Sequence, residues 1–174
     1  METTRRSFLK AGVLGALVLA AGGGIYRYTH PPQAQRFVLD GEARTLLTAI
    51  VSAVLAGSLP ANPAARAQAV RAALDRVHQT ILGLPLATQK EVQDLFGLLA
   101  LAPARRLLAG VKHDWANASV EEVSSFLQDW RVHRVGLLRT AYQALHDLVL
   151  GSWYSDAGHW AAIGYPGPMP ELVQ

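Results

Sequence analysis

The chain has 174 residues, a formal net charge of +3 and no cysteine, which excludes disulfides, thiolate metal sites, iron-sulfur clusters, c-type haem attachment, a cysteine nucleophile and a lipoprotein anchor. Four of its 16 basic residues and one of its 13 acidic residues precede Pro31, so twelve of each remain in the body. A neutral body has no cationic surplus to exchange for phosphate counterions, and nucleic acid is disfavoured as a partner.

The N-terminus carries the basic excess. Thr4-Arg5-Arg6-Ser7-Phe8-Leu9-Lys10 runs directly into an apolar, glycine-containing stretch at residues 11–25. A twin arginine followed by Phe-Leu-Lys resembles a Tat export signal, with Arg5, Arg6, Phe8, Leu9 and Lys10 as targeting residues. An ordinary Sec signal would also begin with positive charge, but here the whole consensus stands in order. Tat carries folded proteins, so a chain using it either binds a cofactor before export or leaves beside a companion that does. Residues 1–30 therefore read as a Tat signal peptide or a retained N-terminal anchor, and the expected location is the periplasm, free or at the inner membrane. The apolar stretch is shorter than the roughly 20 residues that cross a bilayer comfortably. Against cleavage, no clean Ala-x-Ala site follows, and Tyr26-Arg27-Tyr28 has the make-up of an interfacial anchor.

Residues 31–39, opening Pro31-Pro32, form an extended linker. Helical periodicity then continues over residues 40–150. Asp40 is the expected N-cap of a first helix reaching Ala56, with Leu46, Leu47, Ile50, Val51, Val54 and Leu55 on one stripe and Gly57 and Pro60 as stops. Asn62-Pro63 is a cap and first-turn pair opening a second helix with Val70, Leu74, Val77, Ile81 and Leu82 inward, closed by Gly83 and Pro85. Thr88-Gln89-Lys90-Glu91 matches a capping box for a third, carrying Val92, Leu95, Phe96, Leu98 and Leu99. A fourth runs from Pro103 to about Trp115, with Leu107, Leu108 and Val111 inward. Ser119-Val120-Glu121-Glu122 is a second capping box and starts the longest element, expected to reach Leu150 as the spine of the domain, with Trp130, Leu137 and Leu145 among its buried positions. No stretch alternates as a strand would, so the expectation is an all-α bundle of about five helices.

Residues 151–174 break the pattern with aromatics, glycine and proline; Pro166 and Pro168 preclude a regular helix, and Gly164 and Gly167 supply turns. Together with Trp130, Arg131 and Arg134, the tail residues Trp153, Tyr154, Trp160, Tyr165 and Pro166 form the candidate partner interface, because Trp, Tyr and Arg gain most from burial against a partner. The competing reading is a core helix covered by a tail that folds back on it.

Chemistry is sparse. His78, His113, His133, His146 and His159 are scattered with no spacing that sets two ligands on one helix face. Asp129 and His133, one turn apart, are positioned to pair, as are Arg139, Tyr142 and His146, whereas His146 and Asp147 are expected on different faces. No serine sits in a nucleophile elbow and no glycine loop cradles phosphate. No catalytic, cofactor-binding or metal residue is assigned.

Leu137-Leu138-Arg139-Thr140-Ala141-Tyr142-Gln143-Ala144-Leu145 and the close Trp160-Ala161-Ala162-Ile163-Gly164-Tyr165-Pro166-Gly167-Pro168, behind a Tat leader and in a cysteine-free helical body, resemble the small subunits grouped with gluconate 2-dehydrogenase subunit 3. The likeness covers residue 37 to the end and is strongest after Trp130. It implies a non-catalytic partner of a large flavoprotein of the glucose-methanol-choline oxidoreductase type, which holds FAD and oxidises sugars, sugar acids or alcohols. A multihaem c-type cytochrome often follows as a third subunit with its haem c. The small subunit would supply the address read by the Tat translocase for both chains, which explains a cofactor-free chain on the folded-protein route. Two other readings are a free-standing periplasmic or membrane-tethered scaffold and a self-sufficient exported enzyme using its histidines on a metal.

Overall fold

Asp40 starts the first helix as expected, its carboxylate accepting the Ala43 N–H at 2.8 Å. The computed structural model describes residues 36–167; the targeting residues, the start of the linker and Pro168 lie outside them. The helices are α1 (Gly41–Val54), α2 (Pro63–Leu82), α3 (Leu86–Ala100), α4 (Ala102–Leu107), α5 (Val120–Arg131) and α6 (Gly136–Tyr154), followed by 3-10 turns at Ala157–His159 and Ala161–Ile163. The all-α expectation stands: six helices pack together, with no strand among the described residues. None of these helices is long and apolar enough to cross a membrane.

The centre is α1. Its buried stripe Leu46, Leu47, Ile50 and Val51 meets α2, α3, α5 and α6, so α1 takes the role of spine expected for the element after Ser119. The second helix starts where anticipated, Asn62 Oδ1 accepting the N–H groups of Ala64 and Ala65, and it buries Val70, Leu74, Val77 and Ile81.

Three expectations fail, each because tertiary contacts outweigh a local signal. The capping box at Thr88 is not used: the N-cap position of α3 is Pro85, three residues earlier, with no side-chain cap. Gln89 is instead 2 % exposed, donating from Nε2 to the carbonyls of Leu82 and Leu84 at 3.1 and 2.8 Å and accepting the Phe37 N–H at 3.0 Å. Gln93 takes the Val38 N–H at 2.8 Å, so α3 pins the segment entering the domain.

The fourth helix is six residues long instead of running to Trp115. The chain then turns through Gly110, whose φ of 68° suits glycine, and Trp115 is buried with its indole donating to the Leu99 carbonyl at 2.8 Å. Leu107 and Leu108, expected inside, are exposed, Leu107 by 84 %.

The intervening loop is held by Glu122. Ser119 caps α5 through the Glu122 N–H at 3.1 Å, while the Glu122 carboxylate accepts the N–H groups of Lys112 and His113 and meets His113 Nδ1 at 3.0 Å. The His113 side-chain bond, then the Lys112 N–H, hold this carboxyl below the usual glutamate range. A depressed folded-state value stabilises above the ordinary one and is lost as pH falls through the folded one. Glu122→Gln is therefore expected to lower the melting temperature at neutral pH, and the gap from wild type to close on acidification through the carboxylate range. A gap constant with pH would refute this role.

The long element after Ser119 is two helices. The break at residues 132–135 satisfies its own backbone: His133 Nδ1 accepts the Val135 N–H at 3.1 Å and Arg139 donates to the His133 carbonyl at 2.7 Å. The expected Asp129 and His133 pair is thus replaced by a bond that closes the turn, and Arg139 is drawn away from Tyr142 and His146. The break lets α6 fold back on α5, and it leaves Leu137 75 % exposed where a continuous helix would have buried it. At its far end α6 continues through Gly151 to Tyr154, because Ser152 and Trp153 are buried and Ser152 Oγ meets Thr80 Oγ1 of α2 at 2.9 Å. That contact outweighs the roughly 1 kcal/mol cost of an internal glycine.

Candidate functional site

The residues expected to form one interface fall into two groups. Trp130, Arg131 and Arg134 lie just before α6, and Trp153, Tyr154, Trp160, Tyr165 and Pro166 lie at or beyond its end. A helix of 19 residues is about 28 Å long, so the groups sit at its opposite ends.

At the first end the three side chains part company. Trp130 is 2 % exposed, its indole donating to the Leu108 carbonyl at 2.8 Å and its ring edge-on to Phe126 at 4.8 Å. It belongs to the core, which corrects the expectation that it faces a partner. Arg134 lines a groove of about 580 Å³ between residues 107–110 and 129–134, where Leu107, Leu108 and Val132 are exposed. Arg131 lines a different pocket, of about 240 Å³, with Ser124, Gln128, Tyr142 and His146. The rings of Tyr142 and His146 lie 5.4 Å apart.

At the second end Trp153 is also a core residue, and not part of a tail: it is buried in the last turn of α6 with the His159 ring stacked on it at 3.6 Å and 10°. Asp156 pairs with Arg76 of α2 and accepts the Gly158 N–H at 2.9 Å. That N–H first, and the Arg76 charge with it, keep the Asp156 carboxyl below its ordinary range. The following segment is a folded knuckle. Trp160 Nε1 donates to the Tyr154 carbonyl at 2.7 Å, the Tyr165 N–H donates to the Trp160 carbonyl at 3.0 Å, and the two rings meet edge-on at 5.2 Å. Gly164 and Gly167 have φ of 69° and 99°, and a Cβ at Gly167 would lie 3.3 Å from the Trp160 ring. Both glycines are thus required where the sequence placed turns. Ile163, Tyr165 and Pro166 face solvent while Trp160 is half-buried.

No cluster of three or more His, Asp or Glu side chains suited to a metal occurs among the described residues. His146 and Asp147, expected apart, have Nδ1 and Oδ1 3.4 Å from each other. The Gln143 amide first, and His146 second, hold the Asp147 carboxyl below the usual range. The polar row Ser124, Gln128 and Arg131 was readable as spacing of four and three along α5, whereas nothing in the sequence signalled that Gln89 would be buried.

Fold and surface together define an all-helical protein whose expected interface residues are divided between the two ends of one helix. No protein-family model matches the chain, and no curated protein or solved structure gives a match to it. The likeness to the gluconate 2-dehydrogenase small subunits therefore rests on sequence motifs alone.

Proposed function

We propose that this chain is the non-catalytic small subunit and Tat export escort of a periplasmic FAD-dependent dehydrogenase acting on sugars, sugar acids or alcohols. FAD would reside in the large partner and haem c in a cytochrome subunit. The observation that carries the reading is the knuckle at residues 160–167, which coincides with the motif of strongest resemblance and presents Ile163, Tyr165 and Pro166 on a backbone already fixed by hydrogen bonds. Preformed aromatic and proline surface loses little conformational freedom when a partner covers it. The twin arginine supplies the address.

The deciding experiment is co-expression with a flavoprotein large subunit, comparing wild type with Arg5→Lys/Arg6→Lys and measuring flavin-dependent dye reduction in periplasm and cytoplasm. The twin-lysine chain is expected to strand the activity in the cytoplasm. Activity that reaches the periplasm regardless overturns the escort role. One observation favours a free-standing scaffold instead: the tail is already anchored on this chain's own α2 and α6 through Asp156 and Trp160, as a stable monomer would require.

A further inference from the structure

The pocket at Arg131 is built differently from the other surface features. Its polar lining comes from two helices, Ser124, Gln128 and Arg131 from α5 and Tyr142 and His146 from α6, with Ala53 and Val54 of α1 beside them. Ser124, Gln128, Arg131 and Tyr142 can each donate a hydrogen bond, and no carboxylate lines the space. The Arg131 guanidinium has no carboxylate partner among the described residues, although ion pairs form elsewhere on the surface. Tyr142 is only 9 % exposed, which fixes its ring, and the His146 ring lies beside it. Asp147, outside the pocket lining, meets His146 at Nδ1; the carboxylate can only accept, so Nδ1 bears the proton there and the neutral ring keeps a lone pair at Nε2, which suits a hydroxyl on the ligand. A planar guanidinium fork with a phenol nearby matches a carboxylate, which takes two parallel N–H bonds from arginine and a further donor on its remaining lone pairs. The volume of about 240 Å³ lies below the roughly 300–1,000 Å³ of drug-sized sites and suits an anion of a few carbons.

We propose that the pocket between α5 and α6 binds a small 2-hydroxy carboxylate, its carboxylate gripped by Arg131 and hydrogen-bonded by Tyr142, its hydroxyl donating to His146. This role is independent of the export reading, since it concerns the free chain and needs no partner.

The test is titration of the full chain with lactate, followed by calorimetry and by the NMR signals of the arginine side-chain N–H groups. Saturable one-to-one binding is expected, with the Arg131 signal shifting. Arg131→Gln should weaken it about tenfold, the order of a charged hydrogen bond, and Tyr142→Phe less. Arg131→Lys retains charge and fold but cannot make the two-pronged contact, so it too should weaken binding. Arg71→Gln, on the exposed face of α2, should leave it unchanged. A non-saturable response, equal loss in the Arg71 and Arg131 variants, or sulfate binding as tightly as lactate overturns the proposal.

Discussion

Trp130→Ala is expected to lower the free energy of unfolding by about 3–5 kcal/mol, the range for truncating a buried aromatic side chain. Its ring fills the space between Phe126 and the Leu108 backbone, and Phe126 is itself 6.0 Å from Trp115. Deleting it opens a void in that aromatic row and leaves the Leu108 carbonyl without its indole donor. Trp130→Phe separates the two effects: it keeps most of the packing and loses the hydrogen bond, at about 1 kcal/mol. Urea denaturation of the three proteins measures both steps. The same series distinguishes core from interface, since a Trp130 that served chiefly to meet a partner would leave the isolated chain's stability within about 1 kcal/mol of wild type on truncation.

Gln89→Leu is the second large effect, at about 2–4 kcal/mol. Leucine fills part of the same space without the terminal amide, so the largest cost is that of stranding the Phe37 N–H and the carbonyls of Leu82 and Leu84. Each unpaired buried group costs about 1–3 kcal/mol, reduced where water reaches the Leu84 turn. Gln89→Glu gives a signed control. A carboxylate there still accepts from Phe37 but faces two carbonyls, so its protonation is favoured in the folded state and its folded-state value raised. Stability of that variant should recover as pH falls, the opposite of the Glu122 trend. Hydrogen exchange at Phe37 should rise in the leucine variant, and unchanged protection there would show that the glutamine does not hold the entry segment.

The sequence was most legible where a helix start depends on its own side chains. Asp40 and Asn62 accept the N–H groups two and three residues ahead, a contact that needs nothing from the rest of the fold. It was least legible where a remote contact overrules the local signal. Thr88-x-x-Glu91 is a valid box, but Gln89 lies inside it and its three bonds to Phe37, Leu82 and Leu84 set the start of α3 elsewhere. The break at residues 132–135 carries no proline, and its closing bonds come from His133 and Arg139, residues that read equally well as helix surface. Of the candidate interface, Tyr165, Pro166, Arg131 and Arg134 are exposed, whereas Trp130 and Trp153 are enclosed. Residue type marks all of these as able to gain from burial, and only the carbonyl of Leu108 and the ring of His159 decide that the two tryptophans gain it within their own chain.

The anchorage of the entry segment also governs how the domain answers tension. A pull on the chain from its N-terminal side arrives first at Phe37 and Val38, whose N–H groups are held by glutamines 52 and 55 residues further on. Phe37 is wedged edge-on between His78 and Phe96, at 5.9 and 5.7 Å. Two hydrogen bonds and an aromatic clasp must therefore yield together before the load reaches α1. A clasp loaded in this way resists unravelling of the domain from its leading end.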